Sequence, residues 1–122
     1  MPRKRKGSAV DGPAMELTPQ QIRILERLQD RRLQIVAFPM YANHIGVRKG
    51  NCAALLVPVA DGGFTVFGSP AYLIGGNLSV SVERDGQKWF VWKKERVEAT
   101  PARLAELAQF ASELADCLLV NA

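Results

Sequence analysis

The stretch LSVSVERDGQKWFVWKK, residues 78–94, decides the fold class. Apolar and polar residues alternate from Leu78 to Glu83, the period of a strand with one covered face. Asp85-Gly86 is a two-residue hairpin loop signal, because a type I′ turn needs φ > 0 at both central positions. The chain then returns through KWFVWKK. A loop of this length pairs Arg84 with Gln87, Glu83 with Lys88, Val82 with Trp89, Ser81 with Phe90, Val80 with Val91 and Ser79 with Trp92.

Alternation sorts this hairpin into two faces. Leu78, Val80, Val82, Trp89 and Val91 form one, which is expected to face the core. Ser79, Ser81, Glu83, Lys88, Phe90, Trp92 and Lys94 form the other, polar and basic with two aromatics in line. Phe90 and Trp92 are poor choices for a wetted face, so a covering is expected. Three coverings fit: a helix or loop of the same chain, a second subunit, or single-stranded nucleic acid stacking on the rings.

Working outward, the neighbouring segments also read as strands. LQIVAF (33–38) stops at Pro39, and a short strand over Ile45–Arg48 follows the FPMYANH bend. Lys49-Gly50 turns the chain into CAALLVPVA (52–60). That run is apolar throughout, as in a central strand covered on both sides. Asp61-Gly62-Gly63 is a turn before FTVF (64–67), and GSPAYLIGGN (68–77) reads as an irregular connection with one helical turn.

Helices close both ends. In LTPQQIRILERLQDRR (17–32), Thr18 suits the N-cap, Pro19 the first helical position, and Gln21 completes a capping box. Leu17 and Ile22 stand at staple positions, and Ile22, Leu25 and Leu28 define the expected buried stripe. In ATPARLAELAQFASELADCLLV (99–120), Thr100-Pro101 repeats the start, and Leu104, Leu107, Ala111, Leu114 and Leu118 form the stripe. The expected fold is α+β: a single antiparallel meander sheet of about five strands flanked by an N-terminal and a C-terminal helix.

The totals bound the function. At 122 residues, the length fits one domain over 17–122, preceded by a flexible basic lead over 1–16. No apolar run is long enough to span a bilayer, and the basic start lacks the apolar stretch of a secretory signal. Two cysteines, Cys52 and Cys117, make no disulfide framework, so reduced thiols in a cytoplasmic protein are expected. The net charge of +4 comes from 16 basic and 12 acidic residues, and Arg3, Lys4, Arg5 and Lys6 account for all of it. The remaining body, at 12 against 12, is formally neutral, which weighs against a strongly electrostatic nucleic-acid binder.

No catalytic, metal or cofactor motif stands out. His44, the single histidine, and Cys52 make the one conceivable base–nucleophile pair. Cys52 begins an apolar strand, however, where cysteine packs as a small hydrophobe. The glycine loops ADGGF, FGSP and IGGN lack phosphate-binding spacing and read as turns. Tyr72 suits a packed loop aromatic. The expectation is a non-enzymatic protein-interaction or regulatory module that self-associates or binds a protein partner. It requires no cofactor, metal or membrane. The first alternative is a single-stranded nucleic-acid binder using Arg3, Lys4, Arg5, Lys6, Lys88, Phe90, Trp92 and Lys94, and the last-ranked one is a small enzyme centred on His44 and Cys52.

Overall fold

The computed structural model describes residues 17–119, so the basic lead and its RKRK cluster lie outside the described residues. The elements are α1 (Pro19–Asp30), β1 (Gln34–Val36), a 3₁₀ turn (Pro39–Tyr41), β2 (Ile45–Lys49), β3 (Cys52–Pro58), β4 (Phe64–Ile74), β5 (Asn77–Leu78), β6 (Val80–Arg84), β7 (Gln87–Trp92), β8 (Glu95–Glu98) and α2 (Pro101–Leu118). All strand pairs are antiparallel, and the fold is α+β. The strands follow the chain as a meander, split into a larger sheet β1–β5 and a smaller sheet β6–β8.

The split occurs at one residue. LSVSVER reads as a single strand, but Ser79 separates Leu78, which pairs with β4, from Val80, which pairs with β7. Its N–H and its Oγ both donate to the Tyr72 carbonyl, at 3.2 and 2.6 Å. The buried serine thus pins the bend with both donors satisfied.

β4 is longer than expected. Residues 68–74 continue it as strand, where an irregular connection was expected. Gly68, Ser69 and Pro70 stand opposite Ala54 alone, since Ala53 pairs with Ala71 and Leu55 with Phe67. The glycine and proline therefore mark a bulge inside a strand, a position both tolerate. β8 was not anticipated either. Lys93 takes φ 54°, which turns the chain tightly enough for Glu95–Glu98 to pair back on β7.

Both helices lie on one face of the larger sheet. Cys52, Ala54 and Leu56 alternate along β3 and share a hydrophobic cluster with Ile24 and Leu28 of α1 and with Phe110, Leu114 and Cys117 of α2. Arg27 donates to the Leu119 carbonyl at 2.7 Å and ties the helices together. The buried stripe of α1 is Gln21, Ile24 and Leu28, with Ile22 exposed, so it lies rotated from the expected Ile22–Leu25–Leu28 line. In α2 it runs through Phe110, Leu114 and Cys117, with Leu104, Leu107 and Leu118 packed beside it.

The expected capping box forms. Thr18 Oγ1 accepts from the Gln21 N–H, and Gln21 Oε1 accepts from the Thr18 N–H, both at 3.0 Å. The same side chains also hold the turn before β4. Thr18 Oγ1 donates to the Gly62 carbonyl at 2.6 Å and Gln21 Nε2 to the Gly63 carbonyl at 3.1 Å.

Candidate interaction face

The β6–β7 hairpin has the register that its two-residue loop demands, from Val80↔Val91 to Arg84↔Gln87. Asp85 and Gly86 take φ 54° and 76°, the left-handed pair of a type I′ turn. The two faces of the hairpin are reversed relative to expectation. Phe90 is 1% exposed and stacks flat on Tyr72 of β4, ring centroids 4.8 Å apart and planes 10° apart. Phe90 belongs to the main cluster, Trp92 and Val97 pack against it, and Ser79 is buried beside them. The covering of the aromatic face is therefore the chain itself.

The physical reason is area. Phe90 meets the Tyr72 ring and joins the cluster shared with both helices, so its whole side chain leaves the water. Val80 and Val82 are consequently left 62% and 41% exposed. Cross-strand partners share a face, so Trp89, Val91, Arg96 and Glu98 join them there. The Arg96 guanidinium sits over the Trp89 ring, 4.9 Å from its centroid. Gln87 Nε2 donates to Glu98 at 2.9 Å along the rim. The outer face of the smaller sheet is thus an apolar centre of Val80, Val82, Trp89 and Val91 within a rim of both charge signs.

The residues expected to form one basic aromatic surface are not together in solvent. Phe90 is buried and Trp92 half-buried, while Lys88 and Lys94 are exposed. Lys88 lines a shallow groove with Ser81, Glu83, Ala99 and Leu104. Lys94 lies in the β7–β8 turn and borders the outer-face basin with Lys93. Arg3, Lys4, Arg5 and Lys6 lie outside the described residues. Burial of Phe90 removes one of the two rings that a base-stacking surface would need. Val80, Val82, Trp89 and Val91 were visible as a shared face. The exposure of Val80 and Val82 was not, because alternation groups residues without saying which group is covered.

His44 and Cys52 do not meet. Cys52 pairs with Lys49 and Ile45 with Leu56, which puts His44 at the far end of the β2–β3 hairpin, roughly 17 Å along the strand. Cys52 is fully buried, and burial pushes its thiol up to about 11, with the charge of Glu106 adding to the push. A protonated, enclosed thiol is a poor nucleophile. The His44 ring packs edge-on to Tyr41 and Phe67, at 5.8 and 4.7 Å between centroids. Among the described residues, no three His, Cys, Asp or Glu side chains group closely enough to hold a metal ion, and no helix is long and apolar enough to cross a membrane.

Comparison with family models, with curated proteins and with solved structures returned no match to this chain.

Proposed function

We propose that this protein is a non-enzymatic interaction module of the cytoplasm that self-associates, docking the outer face of its smaller sheet on the same face of a second copy. The observation that carries this is the exposure of Val80 and Val82 beside Trp89 and Val91 on one sheet face. Trp89 at the centre with Arg96 over its ring from the rim is a pairing of the residue types enriched in interface hot spots. The rim also suits a second copy. Arg84 and Arg96 stand near Glu98 on the same face, so a two-fold arrangement can set opposite charges against each other.

Size sets the strength. Three strands ~4.8 Å apart and ~17 Å long present roughly 250 Å² in projection. A standard stable interface takes about 800 Å² from each partner. Even with the rim and turns included, the dimer is reversible rather than permanent.

Sedimentation velocity of the full chain across a concentration series tests this reading. The wild type should move from monomer towards dimer as concentration rises. Val82→Glu should remain monomeric with an unchanged melting temperature, since the residue is exposed in the monomer. A wild type that is monomeric throughout, or a Val82→Glu variant that associates equally well, would overturn it.

A further inference from the structure

On the opposite side of the larger sheet from the helices, a groove of about 170 Å³ lies between the 3₁₀ turn and the β4–β5 turn. We infer that it binds a small aromatic carboxylate, with Arg48 holding the carboxylate and the ring seated among Phe38, Leu78 and Trp92.

The groove is assembled from four separate parts of the chain. Val36 and Phe38 come from β1 and the residues after it, Arg48 from β2, and Leu78 and Trp92 from β5 and the end of β7. Phe38 is fixed in place because it lies directly over Gly46, where a Cβ would sit 2.6 Å from its ring. The walls are therefore held by strand pairing rather than by a loop alone. The volume is that of a single-ring occupant: a cavity of about 150 Å³ lined by apolar side chains accepts benzene. Three aromatic residues, Phe38, Tyr41 and Trp92, line it and offer ring faces and edges to an aromatic guest.

Charge selects the other half of the ligand. Among the described residues, Arg48 is the one charged residue lining the groove, and no acidic side chain borders it. Its Nε donates to the Gly50 carbonyl at 3.0 Å, which orients the guanidinium. Its two terminal nitrogens have no partner among the described residues. They form the fork that accepts a carboxylate bidentately. Asn77 spends its side-chain N–H groups on the Ile74 and Gly75 carbonyls, so it does not compete for the anion.

The test is a titration of the ¹⁵N-labelled full chain with phenylacetate, phenylacetamide and a short peptide ending in a free Phe, followed by NMR. The chain has two tryptophans, so Trp89→Phe assigns the Trp92 indole signal. Phenylacetate should shift the Trp92 indole and the Arg48 and Leu78 amides along one saturable curve. Phenylacetamide and the Arg48→Gln variant should each bind about tenfold more weakly or worse, the loss expected when a charged hydrogen bond is removed. The remaining spectrum of Arg48→Gln reports whether the fold is kept. Equal binding of acid and amide, shifts confined to another surface, no saturable shift, or binding of the peptide alone would each overturn the proposal. The groove lies on a different surface from the outer face of the smaller sheet, so this result stands apart from the oligomeric state.

Discussion

At the residue scale, two side-chain environments make sharp predictions. Gly46 is buried, and a Cβ there would lie 2.5 Å from the Val36 carbonyl oxygen and 2.6 Å from the Phe38 ring. The nearest atom is backbone in a paired strand, so relief requires moving β1. Gly46→Ala should therefore cost about 1–3 kcal/mol or more, measured by urea denaturation. Cys52 makes the second. Its folded thiol is raised to about 11 from 9.0, so it keeps its proton where an unfolded thiol loses it. Its contribution is complete below about pH 9 and is lost as pH rises towards 11. Over that window wild-type stability should fall, relative to Cys52→Ala, by up to about 1.4 kcal/mol per pH unit. Burial also predicts that a thiol reagent at neutral pH modifies Cys52 only in denaturant. Rapid alkylation of native Cys52 would contradict its placement.

At the element scale, local chemistry was legible and burial was less so. Thr18, Pro19 and Gln21 announce the start of α1, and the Asp85-Gly86 pair sets the register of β6 on β7, because both signals act through the backbone nearby. The side of the hairpin that meets the core depends on distant partners. Tyr72, which stacks on Phe90, reads in sequence as part of a loop, since Gly68-Ser69-Pro70 looks like a break and is in fact a bulge. β8 was hidden for a similar reason: a non-glycine residue, Lys93, supplies the positive φ of its turn. The candidate face was thus recognised as a set of residues and assigned to the wrong side. Arg48 gave no signal, because a lone arginine in a strand acquires meaning only from the groove around it. The cap of α1 carries a further consequence. Thr18 serves the helix and also ties the Gly62 carbonyl, so Thr18→Ala should lose about 1–2 kcal/mol, at the upper end for an N-cap. A thermal melt of that variant unchanged from wild type would mean that the tie to the turn contributes nothing.

At the scale of the whole molecule, one continuous cluster joins both helices to both sheets, so the exposed outer face is a surplus that the chain's own packing leaves uncovered. The proposed function rests on what occupies it. Apolar contact between copies should hold or strengthen as sulfate concentration rises, because excluded salts favour burial. Binding of a polyanion through basic residues should instead weaken steeply with salt. Sedimentation at two salt concentrations separates these behaviours. The most direct measurement mixes ¹³C-labelled and unlabelled protein and records isotope-filtered NOEs between copies. Contacts between the methyls of Val80, Val82 or Val91 on one copy and the Trp89 ring on the other are the predicted result. Intermolecular contacts confined to another surface, such as Met40 and Phe67, or none at a concentration where the protein sediments as a dimer, would contradict the account.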